Sequence, residues 1–205
     1  MKPSLIALFT LFAFIASSAK AIVLDGHGEP VINGRTYYIL PVTNVIGNGL
    51  TLVKTGNETC PLSVKPYPSV PIHLEDGLPW KISSPVRSRF LPTDVRTDFF
   101  TVDETKPSCV PFPSKWTIVE EEDGVKSVKV SGYYENTITG VFRIQKYATF
   151  TYKIVFCPTD GDSCGDIGLS SRGLVITDDV PLGFMFIYVE LSEVSKQVIN
   201  NVLEA

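Results

Sequence analysis

Short apolar stretches separated by turn-forming residues recur along the chain. Each is four to eight residues long and rich in β-branched and aromatic side chains, and they occupy residues 36–42, 50–53, 99–102, 116–119, 127–131, 140–144, 149–156, 173–177 and 184–191. Their length and spacing predict the strands of an all-β sandwich or barrel. The alternation is clearest over residues 148–156, where Phe150, Tyr152, Ile154 and Phe156 recur at every second position. We therefore predict a strand there with one buried face and one wet face.

Glycine and proline punctuate the whole chain, which contains 15 of each. Because both residues interrupt helices, we predict no long helix in the body of the domain. The tail is the exception, since Leu191, Val194, Val198 and Val202 fall on one helical face. A helix is therefore predicted in residues 192–205, and that tail is interpreted either as a frayed end or as a vacuolar sorting extension.

The N-terminus has the layout of a secretory signal peptide. An almost unbroken apolar run extends from Leu5 to Ala16, and Ala19 and Ala21 stand in the A-x-A arrangement of a cleavage site. The run is too short to cross a hydrocarbon core of about 30 Å, so we predict that residues 1–21 are removed. The mature protein is expected to be secreted to the extracellular space or apoplast, with the vacuole as the alternative destination.

The charge balance excludes two classes of partner. Cleavage after Ala21 removes Lys2 and Lys20, which leaves 16 basic against 22 acidic residues and a formal charge of −6. Without a basic stripe, the chain is predicted to bind neither nucleic acid nor an anionic membrane surface. A mature length of about 180 residues suits one core, and nothing in residues 22–191 resembles a linker. We therefore expect a single domain and a monomer.

Four cysteines are present, Cys60, Cys109, Cys157 and Cys164. An even number in a secreted chain predicts two disulfides, and four cysteines permit three pairings. The turn-forming residues between Cys157 and Cys164 favour a local bridge, which would leave Cys60 with Cys109. The sequence pattern alone does not choose among the three pairings.

Several motifs follow one another over nearly the whole mature chain. They are VLDGHGEP at 23–30, NGRTYYILP at 33–41, CPL at 60–62, SSPVRSRF at 83–90, WTIV at 116–119, YKIVFCP at 152–158, CGDIGL at 164–169 and PL at 181–182. Their order and content resemble the soybean Kunitz family of plant protease inhibitors. That resemblance implies a β-trefoil of about twelve strands with pseudo-threefold symmetry. It also implies that the first cysteine pairs with the second and the third with the fourth.

For mechanism, the resemblance implies substrate mimicry of a trypsin-like serine protease. A convex loop of the family enters the protease cleft in an extended conformation and is cleaved very slowly. The matching positions here are Ser84, Pro85, Val86, Arg87, Ser88 and Arg89, with the scissile bond between Arg87 and Ser88. Arginine suits that place because its long stem fills a deep apolar pocket and its guanidinium pairs with an aspartate at the floor.

Inhibition instead of digestion requires a rigid loop, because a preformed shape avoids the ordering cost of binding. Pro85 contributes by fixing its own φ and by biasing Ser84 towards an extended backbone. In the family, an asparagine of the scaffold hydrogen-bonds the loop backbone from behind, and the motif match gives that role to Asn33. Its amide offers both donors and an acceptor. Val86 and Ser88 differ from the aromatic residue and the isoleucine that are frequent at these positions.

Two alternatives to trypsin inhibition are retained. A non-inhibitory protein of the same fold, such as a storage or miraculin-like protein, would not use the loop at all. An inhibitor of another hydrolase class, such as a cysteine protease, subtilisin or α-amylase, would use other surface loops. Titration against several proteases separates these possibilities.

Catalysis and metal binding are not expected. Gly161 to Gly165 match the G-x-S-x-G pattern, but a nucleophile elbow needs a following helix and a later histidine, and both histidines precede Ser163. No C-x-x-C pair is present, and neither His27 nor His73 lies at ligand spacing from a cysteine. We expect both histidines to be exposed, Trp80 and Trp116 to be core or semi-buried residues, and no cofactor to be bound.

Asn57, Glu58 and Thr59 form the one N-x-[ST] sequon of the chain. In the secretory pathway, such a sequon predicts an N-linked glycan on Asn57.

Overall fold

A computed structural model of the chain describes residues 20–42, 49–67, 77–130, 134–161 and 163–189. These residues form thirteen strands in one antiparallel sheet. The strands are β1 (Thr36–Val42), β2 (Leu50–Val53), β3 (Ser63–Pro66), β4 (Pro79–Ser83), β5 (Arg96–Thr101), β6 (Trp116–Glu120), β7 (Lys126–Val130), β8 (Thr137–Ile138), β9 (Gly140–Ala148), β10 (Thr151–Pro158), β11 (Gly165–Ser170), β12 (Gly173–Thr177) and β13 (Gly183–Tyr188).

Six of the strands close into a barrel. In ring order they are β13, β1, β4, β5, β9 and β10, and β10 pairs again with β13 to complete the ring. The remaining long strands form the hairpins β2–β3, β6–β7 and β11–β12, which contact one another through β3–β7 and β7–β12 pairs. Closure leaves no unpaired edge within the barrel, which is how all-β domains avoid edge-to-edge association.

The same unit occurs three times along the chain. Each unit consists of a barrel strand, a hairpin and a second barrel strand, namely β1–β4, β5–β9 with the short β8 added, and β10–β13. This arrangement is a β-trefoil, and β8 accounts for the one strand beyond twelve. The predicted all-β fold with about twelve strands is confirmed.

The barrel interior is filled by aromatic side chains. Trp116 stacks on Phe99 with ring centroids 4.4 Å apart, and Trp80 meets Trp116 edge to face at 5.4 Å. The indole N–H of Trp80 donates to the carbonyl of Leu50 at 3.3 Å, so a buried polar group is satisfied. Both tryptophans are buried, as predicted.

The predicted strand over residues 148–156 needs correction. Residues 149–150 form the turn between β9 and β10, and Phe150 has a positive φ of 54°, so it lies outside the strand. The predicted wet face is also largely covered, since Thr151 and Val155 are buried. The cause is the pairing of β10 with β9, β11 and β13, which surrounds it with neighbours that local alternation does not reveal.

Strands β3, β4, β8 and β11 were not predicted. β3, β4 and β11 contain Pro66, Pro79, Gly165 and Gly168, which have low strand propensity, and β8 is only two residues long. In β11 the small residues are needed, because a Cβ added at Gly168 would lie 2.5 Å from the Cγ2 atom of Thr177 on β12. The last predicted strand ends at Tyr188, and its predicted end at Leu191 lies outside the described residues. The signal peptide up to residue 19, Ser131, His73 and the tail 192–205 also lie outside them.

Candidate functional site

The candidate reactive loop joins the end of β4 to the start of β5. Residues 85–89 are five consecutive exposed positions, and the flanking Ser84 and Leu91 are 7% and 0% exposed. The loop is therefore a convex segment anchored at two buried points. It lies at the end of the barrel opposite to the hairpins, because β4 runs from β3 towards this loop.

Arg87 occupies the apex of the loop. The N–H of Ser88 donates to the carbonyl of Val86 at 2.8 Å, which makes Arg87 the central residue of a γ-turn. The extended conformation implied by the resemblance is thus interrupted at Arg87 by a tight turn. The structure records no hydrogen bond or ion pair between the Arg87 guanidinium and any described residue, whereas the guanidinium of Arg89 lies over the ring of Phe90 at 5.4 Å.

Asn33 lies behind the loop and contacts its backbone on both sides of Arg87. Its Nδ2 donates to the carbonyls of Ser84 at 3.0 Å, Val86 at 3.2 Å and Ser88 at 3.3 Å. Its Oδ1 accepts from the N–H of Ser84 at 2.8 Å. Since an amide nitrogen has only two hydrogens, at least one of the three carbonyls shares a donor.

The turn that presents Asn33 depends on the next residue. Gly34 has a φ of 81°, a conformation that favours glycine, and its N–H donates to the carbonyl of Ile82 at 2.8 Å. The backbone N–H of Asn33 donates to Arg89 at 2.9 Å. The pair Asn33 and Gly34 is therefore fastened both to β4 and to the descending half of the loop.

The descending half of the loop is held by backbone pairing that sequence reasoning missed. Phe90 forms an antiparallel bridge with Ile32, and the N–H of Leu91 donates to Val31 at 2.9 Å. The N–H of Val23 donates in turn to the carbonyl of Leu91 at 2.9 Å, and Ile22 bridges to Pro92. No local signal identifies these contacts, because they join main-chain atoms of three distant segments.

Both disulfides have the pairing that the resemblance implied. Cys60 is bonded to Cys109, and Cys157 is bonded to Cys164. The described residues contain no free cysteine. The first bridge joins the β2–β3 connection to the β5–β6 connection, and the second closes the short segment between β10 and β11.

A compact charged cluster lies in the hairpin layer, away from the loop. The Nζ of Lys129 is 2.6 Å from the Oε1 of Glu58 and 2.8 Å from the Oε1 of Glu121, and the side chain of Lys129 is 4% exposed. Tyr134 also donates its hydroxyl to Glu58. Burial works to raise the pKa of Glu58, but the bonds from Lys129, Tyr134 and the Thr55 N–H outweigh it and hold that pKa below its ordinary value.

The contact with Glu58 also affects the pKa of Tyr134. Burial, together with the neighbouring Glu58 carboxylate, raises the pKa of Tyr134 well above its ordinary value. The phenol therefore remains a donor at all physiological pH values. The cluster ties the β2–β3 turn to β7.

The remaining predicted residues are placed as follows. Asn57 and His27 are exposed. Cys164 is bonded to Cys157, and residues 165–170 form strand β11 instead of a helix, so no nucleophile elbow forms at Ser163. In the described segments, no cluster of His, Cys, Asp or Glu side chains could hold a metal ion. Nor does this part of the chain contain a helix long and apolar enough to cross a membrane.

Comparison with known proteins agrees with this geometry. Trypsin inhibitor DE-3 of Erythrina caffra is 39% identical over 170 residues, covering 78% of this chain and 94% of the relative. Trypsin inhibitor A of Glycine max is 34% identical over 216 residues, covering 96% of each chain. A solved complex of porcine pancreatic trypsin with soybean trypsin inhibitor matches with a TM-score of 0.73 and 35% identity, over 82% of this chain and 99% of the matched one.

The family profile for legume Kunitz proteins, described as trypsin and protease inhibitors, matches residues 23–187. That interval contains all thirteen strands except the last residue of β13, both disulfides and the loop between β4 and β5. The chain therefore belongs to the Kunitz legume family of trypsin and protease inhibitors.

Proposed function

We propose that this protein inhibits trypsin-like serine proteases by presenting Arg87 as a substrate mimic, with the Arg87–Ser88 bond in the position of the scissile bond. One observation carries the proposal. An exposed arginine stands at the apex of a loop whose backbone is tied from behind, on both sides of that arginine, by the amide of Asn33. Relatives named as trypsin inhibitors, and a relative solved in complex with trypsin, support the choice of protease class.

The free state of Arg87 suits insertion into a deep pocket. With no described partner, the guanidinium gives up only water on binding. In a trypsin-like pocket it would exchange that water for a carboxylate, and a buried arginine is favourable only when it is paired in this way. A bidentate arginine–carboxylate pair is among the stronger charge-assisted hydrogen-bond arrangements.

The anchoring of the loop explains why it binds tightly but is cleaved only slowly. Ordering an exposed segment costs about 0.5–1.5 kcal/mol per immobilised side chain, and a preordered loop avoids much of that cost. Here the ascending half is held by the Asn33 side chain and the descending half by backbone bridges to residues 31–33. These contacts hold the loop backbone in place, so the two sides of the Arg87–Ser88 bond separate less readily in the protease cleft than those of an ordinary substrate.

The test is a titration of the purified mature protein against trypsin, chymotrypsin, subtilisin and papain. We expect tight, stoichiometric inhibition of trypsin and weaker or no inhibition of the other three. Equal potency against papain or subtilisin would indicate a different target class and a different surface. No inhibition of any of the four would identify a non-inhibitory protein of this fold.

We propose further that the mature protein is secreted and begins at or within two residues of Ile22. The carbonyl of Ala21 accepts from the N–H of Thr93 at 2.7 Å, Ile22 bridges to Pro92 and Val23 is fully buried, so the folded contacts of the described chain reach as far as the predicted cleavage site. Two disulfides suit an oxidising compartment.

A glycan on Asn57 fits the same proposal. Asn57 is exposed in the turn between β2 and β3, at the hairpin end of the barrel. The β4–β5 loop lies at the other end. A glycan on Asn57 would therefore leave Arg87 free to meet a protease.

A further inference from the structure

We propose that Ser88 is a positioning residue for resynthesis of the reactive-site bond, acting through a hydrogen bond from its hydroxyl to the carbonyl of Phe90. The inference rests on the proposed inhibitory function and concerns the same loop. Ser88 acts after a protease has cut the Arg87–Ser88 bond.

The hydroxyl of Ser88 donates to the carbonyl oxygen of Phe90 at 2.6 Å. This is a short distance for an O–H···O bond. Phe90 pairs with the scaffold through its bridge to Ile32, and the carbonyl of the preceding Arg89 accepts from the N–H of Asn33 at 2.9 Å. The bond therefore spans Arg89 and connects Ser88 directly to the fixed part of the loop.

A second contact crosses the scissile bond itself. The N–H of Ser88 donates to the carbonyl of Val86 at 2.8 Å, so the two groups belong to opposite sides of the Arg87–Ser88 bond. Asn33 also reaches both sides, to Val86 at 3.2 Å and to Ser88 at the longer distance of 3.3 Å. After cleavage, the nitrogen of Ser88 stays near Arg87 only while Ser88 keeps its place.

Resynthesis requires the amine of Ser88 to stay close to the carbonyl carbon of Arg87. In the acyl-enzyme, the carbonyl carbon of Arg87 is esterified to the protease serine, and Ser88 carries a free amine. Resynthesis forms the C–N bond by attack of that amine and breaks the C–O ester bond. The proton lost by the amine passes through the protease histidine to the departing serine oxygen. Water competes for the same carbon, so the outcome depends on the effective concentration of the amine.

The hydroxyl of Ser88 is the group that raises this effective concentration. Without it, the Ser88 side chain has no described hydrogen bond, its carbonyl keeps only the 3.3 Å bond from Asn33, and the new terminus is freer to turn away from Arg87. The hydrogen bond from Ser88 to Phe90 is already formed in the intact loop, so it adds no ordering cost there.

The experiment measures the ratio of cleaved to intact protein at equilibrium with a catalytic amount of trypsin, approached from both directions. The variants are Ser88→Ala, Ser88→Thr and Ser88→Val. Threonine and valine have nearly the same shape and differ in the hydroxyl, so any change in fit to the protease is matched between them. We expect the ratio to rise about fivefold for Ala and Val, the factor that one net hydrogen bond supplies, and to stay at the parent value for Thr.

Thermal unfolding of the four intact proteins is the structural control, and we expect midpoints that differ by no more than about 4 °C, because at most one exposed hydrogen bond is removed. Equal ratios for Thr and Val, with trypsin still inhibited by both, would overturn the role of Ser88 and leave the proposed function intact. A parent protein that neither binds trypsin nor is cut at Arg87 would overturn both.

Discussion

Asn33 and Ser84 hydrogen-bond to each other in both directions, although 51 positions separate them in the chain. The N–H of Ser84 donates to the Oδ1 of Asn33 at 2.8 Å, and the Nδ2 of Asn33 donates to the carbonyl of Ser84 at 3.0 Å. This reciprocal pair joins the turn before β1 to the residue that follows β4. It fixes the point from which the exposed residues of the loop depart.

Replacing Asn33 by alanine is expected to convert the protein from an inhibitor into a substrate of trypsin. The change removes the side-chain bonds to both sides of Arg87 and leaves the Ser84 N–H without its acceptor, at a local cost of about 1–3 kcal/mol. Electrophoresis over a time course with trypsin would show the loss of intact protein. Asn57→Ala, with all proteins produced without glycosylation, is the matched control, since it makes the same change in an exposed turn at the other end of the barrel. Equal persistence of the two variants would remove Asn33 from the inhibitory apparatus.

Arg87 is expected to set the class of protease, and Arg89 is its internal control. Loss of a buried, paired guanidinium at an interface hot spot costs at least about 2 kcal/mol, so Arg87→Ala should weaken trypsin inhibition about thirtyfold or more. Arg87→Lys should retain trypsin inhibition, and Arg87→Leu should shift preference towards chymotrypsin.

The comparison that decides the position is a pair of inhibition constants, for Arg87→Ala and Arg89→Ala. Arg89 lies against Phe90, and its charge at the rim should affect mainly the association rate and its salt dependence. A larger loss for Arg89→Ala would mean that the scissile bond lies elsewhere in the loop.

Acid should weaken the folded state through Glu58. Its pKa is lowered on folding from the ordinary value of 4.5, so its stabilising contribution is complete above that value and disappears as the pH falls through the folded pKa. We expect Glu58→Gln to lower the free energy of unfolding by about 1.5–3 kcal/mol at neutral pH, because Lys129 and Tyr134 lose a charged partner. The difference in the free energy of unfolding between Glu58→Gln and the parent should shrink below pH 4.5.

Urea unfolding at neutral pH and at a series of lower values measures this. Glu122→Gln supplies the control, because Glu122 is an exposed carboxylate near the cluster for which the structure records no bond to a described residue. A difference between parent and Glu58→Gln that stays constant across the series would show that the carboxylate is not responsible.

Expression in a plant secretory system should yield a mature chain that begins at or within two residues of Ile22 and contains no reactive thiol. The expectation follows from the cleavage site at Ala21 and from the two disulfides. Intact mass with and without alkylation, combined with N-terminal sequencing, gives both results. Secreted material that begins at Met1 would contradict the predicted signal peptide.

The same material should carry a glycan on Asn57. Asn57→Gln and Thr59→Ala should each remove the same mass, because both destroy the sequon. Trypsin inhibition should be unchanged in both, since the modified turn lies at the hairpin end of the barrel. An unchanged mass in the two variants would show that the sequon is unused.

Sequence patterns predicted the strands whose residues are strongly β-forming. The bounds of β1, β2 and β12 are those expected from the pattern. The patterns failed for β4 and β11, whose proline and glycines suit a strand only because particular neighbours pair with them. They also placed Phe150 in a strand, where the structure has a turn, since alternation continues through a two-residue turn without a visible break.

The candidate site likewise includes residues that the sequence identified and contacts that it did not. The motif around Arg87 and the match at Asn33 could be read from contiguous residues. The pairing of Phe90 with Ile32, the reach of Val23 to Leu91 and the bond from Ser88 to Phe90 could not. The first two contacts use only main-chain groups, which every residue except proline offers alike, and the acceptor of the third is a main-chain carbonyl, so no side-chain pattern records them.

By itself, the sequence determined the strongly β-forming strands such as β1, β2 and β12, the positions of the four cysteines and the residues that make up the loop, because these depend on neighbours along the chain. The tertiary structure alone decided that β10 and β13 close the barrel, that the cysteines meet as Cys60 with Cys109 and Cys157 with Cys164, and that Asn33 reaches both sides of Arg87. The physical reason is that each of these contacts forms only after distant segments pack around the shared aromatic core, whose geometry no single segment contains.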